Sequence, residues 1–383
     1  MPVTYPYTQY SGTWTLNSII GNVAAGQWAT FGPKLFAWGR NDKGQLGLGN
    51  KTYYSSPKQV GTLTTWLRIA GGQYHTVTIK TDGTLWTWGY NTYGALGLGN
   101  STNYSSPKQV GLLTNWSSVS TGYYTVAIKT DGTLWSWGGN TQGQLGLGNT
   151  SYYSSPKQVG SLTTWSSVSA GGHTVAIKTD GTLWTWGFNY YGQLGLGNRT
   201  YYSSPKQVGA LTTWSRVACG GNYTIAIKTD GTLWSWGQGY AGKLGLGNTT
   251  NYSSPKQVGA LTTWSSIASR GIHTIAIKTD GTLWTWGQNY YGQLGLGISG
   301  PGTYYSSPKQ VGALTTWLKI ASGYFNTIAI KTDGTLWSWG RNANGELGLG
   351  NTTNYSSPKQ VGIGTTWSSI AGGWYHTIAI ATL

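Results

Sequence analysis

Apolar and polar positions follow the same pattern seven times along this chain, once every 49 to 53 residues. In one copy, residues 273–287, β-branched and aromatic residues stand on both sides of a Thr-Asp-Gly turn. Gly supplies the positive φ of a tight turn and Asp can bond back to the backbone, so this segment predicts a β-hairpin. Apolar side chains occupy consecutive positions, Ile275, Ala276 and Ile277, which is typical of strands buried on both faces.

Two shorter segments complete each copy. Residues 254–258 (Ser-Pro-Lys-Gln-Val) and 264–267 (Trp-Ser-Ser-Ile) each predict a further strand, and Pro255 belongs at the start or edge of its strand because it lacks an N–H. The run 244–247 (Leu-Gly-Leu-Gly) predicts a connection whose leucines pack between neighbouring units. Four strands in a repeat of roughly 50 residues are typical of a propeller. We therefore predict an all-β fold, a seven-bladed β-propeller with four-stranded blades, over residues 32–383.

The two ends of the repeat region predict how the ring closes. The chain enters the pattern in the middle of a hairpin, at residues 34–39, and leaves it on a strand at 376–382. Each of these strands lacks the partner that its counterparts have. Pairing them removes two exposed edges, so we expect the N- and C-terminal strands to close one blade.

Three tryptophan positions recur, in Thr-Thr-Trp, Leu-Trp and Trp-Gly, and they account for 20 of the 23 tryptophans. Because the positions are the same in every copy, the pattern predicts packing between blades rather than a ligand platform.

Charge is sparse but strongly basic: 8% of residues are charged and the net charge is +16. Thirteen of the 24 basic residues are repeat lysines, which rotational symmetry would arrange as two rings. One ring is Lys58, Lys108, Lys157, Lys206, Lys256, Lys309 and Lys359; the other is Lys80, Lys129, Lys178, Lys228, Lys278 and Lys331. We interpret both as solvated rings that favour solubility. An anionic polymer is the alternative partner, with nucleic acid the less expected form because the basic residues do not cluster in one stretch.

No secretory signal and no apolar run of about 18 residues occurs, so we expect no membrane insertion. Catalysis is not expected either. Six of the eight acids lie in the Thr-Asp-Gly turns, leaving only Asp42 and Glu346. No Ser-His-Asp arrangement and no phosphate-binding loop is present. We predict a non-enzymatic protein without a cofactor.

The four histidines share one repeat position, where three other copies carry Tyr or Asn. These seven residues are His75, Tyr124, His173, Tyr223, His273, Asn326 and His376. Since Tyr and Asn interrupt the set, the pattern favours a hydrogen-bonding core role over a metal site.

The copies differ mainly in loops that are rich in tyrosine. Variable Tyr-rich loops on a rigid scaffold favour a recognition surface, and neutral variation at exposed sites is the alternative. The candidate partner-binding residues are Tyr74, Tyr93, Tyr123, Tyr190, Tyr191, Tyr240, Tyr290, Tyr291, Tyr324 and Trp374.

The repeat resembles the regulator of chromosome condensation repeat family of seven-bladed propellers. The resemblance is carried by W-x-W-G-x-N-x-x-G-Q-L-G-L-G, then P-x-x-V, then I-A-x-G-x-x-H-T-x-A-I-x-x-D-G. It implies nucleotide exchange on a small GTPase and chromatin binding, which in the best-known eukaryotic member depend on blade-specific loops, an inserted wedge and a basic tail. Here the copies are nearly identical, residues 299–302 are the one insertion, and the basic tail is missing, so exchange activity is not expected.

Residues 1–31 form an uncharged extension outside the repeat. The stretches 11–16 and 23–28 are similar to a short segment near the start of structural proteins of marine tailed phages, which implies a phage or bacterial type of protein. The resemblance favours docking onto other virion proteins, with Trp14, Leu16, Ile19, Ile20 and Trp28 as anchoring residues. Packing of the extension over the closing blade is the alternative.

The leading functional hypothesis is a non-enzymatic bacteriophage virion protein, on the capsid or tail, that binds proteins or the host surface. One alternative is a guanine nucleotide exchange factor or chromatin-binding propeller. Another is a lectin-like protein that binds host-surface glycans through its aromatic loops.

Overall fold

The computed structural model describes residues 32–382, in which twenty-eight strands are accompanied by one turn of 3-10 helix, Tyr240–Gly242. In chain order the strands are β1 (Pro33–Gly39) and β2 (Tyr54–Gln59); β3 (Trp66–Gly71), β4 (His75–Lys80), β5 (Leu85–Gly89) and β6 (Tyr104–Gln109); β7 (Trp116–Thr121), β8 (Tyr124–Lys129), β9 (Leu134–Gly138) and β10 (Tyr153–Gln158); β11 (Trp165–Ala170), β12 (His173–Lys178), β13 (Leu183–Gly187) and β14 (Tyr202–Gln207); β15 (Trp214–Cys219), β16 (Tyr223–Lys228), β17 (Leu233–Gly237) and β18 (Tyr252–Gln257); β19 (Trp264–Ser269), β20 (His273–Lys278), β21 (Leu283–Gln288) and β22 (Tyr304–Gln310); β23 (Trp317–Ser322), β24 (Asn326–Lys331), β25 (Leu336–Gly340) and β26 (Tyr355–Gln360); β27 (Trp367–Gly372) and β28 (His376–Thr382).

These strands form seven antiparallel four-stranded sheets, one per blade. Blades I to VI are β3–β6, β7–β10, β11–β14, β15–β18, β19–β22 and β23–β26, and blade VII combines β27 and β28 with β1 and β2. The first strand of each blade contacts the first strands of its neighbours, so these strands surround the axis. The predicted seven-bladed all-β propeller is confirmed.

Blade VII closes the ring as the sequence predicts. β1 and β28 pair antiparallel without interruption, from Pro33 opposite Thr382 to Gly39 opposite His376. The corresponding pair in blade I has the same register, with His75 opposite Gly89. The closing strands therefore reproduce the interior of an ordinary blade.

Each Thr-Asp-Gly turn is held by a short relay of hydrogen bonds. The Asp82 carboxylate accepts the backbone N–H of Thr84 at 2.9 Å and its hydroxyl at 2.6 Å. The same hydroxyl oxygen accepts the indole N–H of Trp86 at 2.9 Å. Gly83 completes the turn with φ +76°, which a side chain would strain. Since the relay recurs in blades I to VI, it explains the repeated aspartates structurally.

The Trp-Gly tryptophans connect adjacent blades. Trp88 is fully buried, packs edge-on against Trp66 at 6.1 Å between ring centroids, and donates its indole N–H to the Gln45 carbonyl at 2.9 Å. Gln45 lies in the loop of blade VII, so the bond crosses the boundary between blades. Leu46 and Leu48 pack in the same cluster. Burial of each such tryptophan stabilises the fold by about 2–3 kcal/mol.

The lysines that precede the Thr-Asp-Gly turns do not form a solvated ring, and this part of the sequence interpretation is wrong. The Lys80 ammonium lies 3.6 Å from the ring centroid of Trp86 and 5.1 Å from that of Trp66. Burial lowers the pKa of Lys80. The side chain is buried beside two indoles of its own blade, and their faces attract the charge. The other members of the set make the same contacts: Lys129, Lys178, Lys228, Lys278 and Lys331.

Blade VII lacks both members of this lysine–tryptophan pair. At the two equivalent positions it carries Ala381 and Phe36 instead of lysine and tryptophan. The second lysine set, on the outermost strands, is exposed as expected, with Lys58 lying 5.5 Å from the ring of Tyr54 in its own strand.

Candidate partner-binding face

All of the variable loops leave the same end of the propeller. In blade I, His75 pairs with Gly89, so the loop before the second strand and the loop after the third strand lie together. The antiparallel order repeats this arrangement in every blade. The Thr-Asp-Gly turns therefore lie on the opposite side. We call the end that carries the variable loops the aromatic face.

A belt of buried hydrogen bonds lies directly behind these loops. The His173 Nε2 atom lies 2.6 Å from the Thr224 hydroxyl, which itself donates to the Gln193 carbonyl at 2.8 Å. Because the hydroxyl proton is used for the carbonyl, His173 must donate from Nε2. Burial lowers the pKa of His173 to about 3, which keeps the ring neutral.

Four further members of the belt make the same bond to the threonine of the next blade: His75, Tyr124, His273 and His376. Tyr223 also crosses to the next blade, but its hydroxyl donates to the His273 carbonyl at 2.7 Å. The seventh, Asn326, has a buried Nδ2 without a partner in the described part of the chain. The belt thus joins six of the seven blade boundaries. Within residues 32–382 no group of three His, Cys, Asp or Glu side chains could hold a metal ion.

The two acids outside the turns are engaged by arginines. Arg40 Nε lies 2.7 Å from Asp42, and Arg341 Nη1 lies 2.7 Å from Glu346. Burial opposes ionisation of Asp42, but the hydrogen bond and charge of Arg40 outweigh it and lower the pKa of that carboxyl. Burial raises the pKa of Glu346 in spite of Arg341. Each acid therefore fixes an arginine of its own loop.

Four predicted residues meet over the axis. The ring of Trp374 lies 4.6 Å from Tyr324, 5.5 Å from Tyr123 and 6.0 Å from Tyr74, measured between centroids. These residues come from blades VII, VI, II and I, so loops that are far apart in sequence converge on one point. We call this group the axial aromatic cluster.

The cluster continues outward in two directions. Tyr90 connects Tyr74 to Tyr93, with centroid distances of 6.2 and 6.4 Å. Phe325 lies 4.6 Å from Tyr324 and 5.2 Å from Tyr291. Tyr290 packs on Tyr291 at 4.6 Å. The connecting residues Tyr90 and Phe325 were not among the sequence candidates, because only their neighbours across blades show their role.

Two arginines lie against the edge of this surface. Arg40 is 5.1 Å from the ring of Tyr74 and 5.6 Å from that of Tyr375. Arg341 is 4.9 Å from the ring of Tyr375. Cation–π contacts of this kind hold the guanidinium planes beside the tyrosines.

Three predicted tyrosines of the aromatic face are not connected to the axial aromatic cluster by ring contacts. Tyr190 and Tyr191 pack on one another at 4.9 Å, and Tyr191 continues to Phe188, so they form a separate patch. Tyr240 is 63% exposed in the 3-10 turn, and no ring of the described chain packs against it. The anchoring candidates Trp14, Leu16, Ile19, Ile20 and Trp28 lie outside the described residues, so anchoring remains a prediction.

Arg270 lies at the axis and was not among the residues predicted from the sequence. Its Nη2 atom donates to the Thr121 carbonyl of blade II at 3.1 Å, although Arg270 belongs to blade V. Its Nε atom is buried without a partner. A signal was present in the sequence, because the six other blades have glycine at this position: Gly72, Gly122, Gly171, Gly220, Gly323 and Gly373.

Blade number, strand order and repeat pattern define a closed repeat propeller with variable aromatic loops at one end. The chain belongs to the RCC1-like domain family. The family model described as "RCC1-like domain" matches residues 173–382, and the regulator of chromosome condensation (RCC1) repeat matches residues 34–79, 82–128 and 131–177. Within residues 32–382 no helix is long and apolar enough to cross a membrane.

Solved structures show the same fold at low sequence identity. Yeast RCC1 (Prp20), solved with Kap60 bound, has a TM-score of 0.82 at 19% identity, covering 92% of this chain and 90% of that one. Prp20p from Saccharomyces cerevisiae, studied for its binding to Gsp1p and histones, has a TM-score of 0.81 at 20% identity, covering 92% of each chain. Human WBSCR16 has a TM-score of 0.81 at 22% identity, covering 91% of this chain and 99% of that one. No match was found among curated proteins.

Proposed function

We propose that this propeller is a non-catalytic protein-binding module and that the aromatic face is its binding surface. This proposal is supported by the origin of the axial aromatic cluster, which is built from loops that differ between copies. The contacts that hold the blades together, in contrast, are repeated from copy to copy. Tyr, Trp and Arg are the residues that most often dominate the energy of protein interfaces. The axial aromatic cluster presents Tyr and Trp, and Arg40 lies beside it, 5.1 Å from the ring of Tyr74.

The related propellers support a protein as the partner, since yeast RCC1 was solved with Kap60 and Prp20p binds Gsp1p and histones. The charge of this protein indicates which kind of partner surface it would bind. The net charge is +16, and both loop acids of the aromatic face are already paired with arginines. Complementary charge therefore favours an acidic or neutral protein surface over a basic one such as a histone.

The narrower hypothesis of a virion protein rests on the sequence alone. The comparisons support binding to proteins and lend no support to a virion location or to glycan binding. We therefore place the function at the level of a protein-binding propeller.

A peptide selection tests this proposal. Peptides are selected from a displayed random library on the full chain and then measured on a variant with Tyr123→Ala, Tyr324→Ala and Trp374→Ala. The matched control is Leu113→Ala, Leu162→Ala and Leu261→Ala, three half-exposed leucines on the opposite side. We expect binding to survive in the leucine variant and to fall by at least about 10-fold in the aromatic variant. Equal binding by both variants would contradict the proposal.

A further inference from the structure

The strongest unassigned feature outside the scaffold is the single arginine at the axis. We propose that Arg270 forms a carboxylate site at the centre of the aromatic face, which binds an Asp or Glu side chain of the docking partner. This inference rests on the proposed function, because it names the chemistry at the centre of the same surface.

The position of Arg270 is the first argument. In other blades a Cβ at this place would collide with a neighbouring group: Gly72 with the His75 ring, Gly220 with the Tyr223 ring and Gly373 with the His376 ring. Blade V alone carries a side chain here, in an array whose copies are otherwise nearly identical. The substitution places a cation where the repeat has only backbone.

The guanidinium of Arg270 lies near blades other than its own. It reaches from blade V to the Thr121 carbonyl of blade II. Its charge also adds to burial in lowering the pKa values of His75 and His376, which belong to blades I and VII. Since blades V and II are three blades apart in a ring of seven, a side chain that joins them lies at the axis.

Among residues 32–382, Arg270 has no anionic partner. Burial lowers the pKa of Arg270 to about 10, and its one side-chain hydrogen-bond acceptor in this part of the chain is a neutral carbonyl. The buried Nε donates to nothing in the described chain. Asp42 and Glu346 are held by Arg40 and Arg341. Carboxylates bind a guanidinium with two parallel N–H···O bonds, and low solvent access strengthens that pair. The unpartnered Nε therefore favours a carboxylate at this site.

The surroundings favour a peptide over a free anion. The residue after Arg270 is Gly271, and a Cβ there would collide with the Tyr324 carbonyl, so the arginine's loop contacts the axial aromatic cluster. An acidic side chain that reaches Arg270 would bring its own backbone and neighbours against Tyr324, Tyr123 and Trp374. Aromatic rings around one buried ion pair are a common arrangement at the centre of protein interfaces.

Reverting the residue to the repeat's glycine provides a direct test. Arg270→Gly restores what six blades contain and removes a buried charge, so we expect an unchanged or higher melting temperature. The probe is an end-blocked oligoglutamate peptide, measured by calorimetry on the full chain. We expect affinity to fall by about 10- to 100-fold in this variant, as for loss of a charged hydrogen-bond pair.

The matched control is Arg199→Thr, which removes the same charge from an exposed loop of the same face and introduces the residue found at Thr249. We expect its affinity to change by less than about 2-fold, because exposed charges are screened. An equal loss in both variants would show a general charge effect and overturn the site.

Nitrogen NMR identifies the atom involved. The chain has six arginines, so the Nε–H signal of Arg270 is the one missing in Arg270→Gly. A shift of this signal with oligoglutamate supports the site, and an unmoved signal overturns it. An equal response to acetate and inorganic phosphate would assign the site to free anions and overturn the peptide partner.

These experiments distinguish a failure of the carboxylate site at Arg270 from a failure of the aromatic face as a binding surface. Loss of oligoglutamate binding in the aromatic variant but not in Arg270→Gly would leave the aromatic face standing and remove the carboxylate site. Undiminished binding in both variants would remove both.

Discussion

Lysine occupies three different environments in this chain, and each gives the residue a different role. Lys58 and its equivalents are exposed on outer strands, whereas Lys80 and its equivalents lie on indole faces. Lys243 has neither arrangement. It is 3% exposed, its ammonium contacts the Gln238 side-chain oxygen, and the Tyr223 ring is 5.2 Å away. Burial lowers the pKa of Lys243 to about 8, so its charge weakens the folded state at neutral pH.

Replacing Lys243 by glutamine should therefore stabilise the protein. Four other blades carry glutamine at this position: Gln45, Gln144, Gln193 and Gln293. The folded pKa lies below the unfolded value of about 10.4, so the penalty is present at pH 7 and disappears as pH rises through this interval. We expect Lys243→Gln to raise the melting temperature by about 2–4 °C at pH 7 and by less at pH 10.

Calorimetry at the two pH values checks this, with Lys256→Gln on an exposed outer strand as the control. Equal melting temperatures for wild type and Lys243→Gln at pH 7 would show that the buried ammonium carries no penalty.

At the scale of elements, closure depends on one strand pair. Without residues 377–383, β1 and β27 each lose their partner, and two edges of sheet become exposed. We expect this truncation to lower the melting temperature by more than about 10 °C or to cause aggregation. Scanning calorimetry and light scattering measure both effects.

A complementation experiment serves as the control. A peptide with the sequence of residues 376–383 should restore part of the lost melting temperature, whereas a scrambled peptide should not. A truncated chain that melts like the wild type would contradict closure by β1 and β28.

The strands and their closure were predictable because the signals lie within one copy. The Asp82 relay uses residues at most four positions apart, and any copy shows it. Contacts between side chains that lie farther apart in the sequence were not predictable in this way. Lys80 precedes a turn and was interpreted as solvated, yet it lies against Trp66 of the adjacent strand. Tyr74 and Trp374 stand 300 positions apart and meet only because blades I and VII are neighbours.

At the scale of the whole molecule, the histidine belt couples stability to pH. Burial lowers the pKa values of all four histidines to about 3, against about 6.5 in the unfolded chain. Below pH 6.5 the unfolded chain therefore binds more protons, and stability falls as pH decreases toward 3. Tyr124 shows that tyrosine can take the same position and the same bond, and Tyr223 takes the position while donating to the His273 carbonyl.

We expect His173→Tyr with His273→Tyr to make the loss of stability between pH 6.5 and 4.5 about half as steep, since two of four histidines remain. Urea unfolding at several pH values measures this slope. The carboxylates are the same in both proteins and serve as the internal reference. Parallel pH curves for the two proteins would show that the belt histidines do not control acid stability.

In the closing blade, β1 and β28 pair in the register of an ordinary hairpin. The order of the blades along the chain could therefore be changed without changing their order around the ring. Thr382 and Pro33 end opposite each other, where blades I to VI carry a Thr-Asp-Gly turn. A circular permutant that joined these ends through such a turn and opened another one would divide a different blade between its termini. The cut would fall on the side away from the aromatic face. The aromatic face is therefore specified by which loops are neighbours in the ring, and not by the order in which the blades follow one another along the chain.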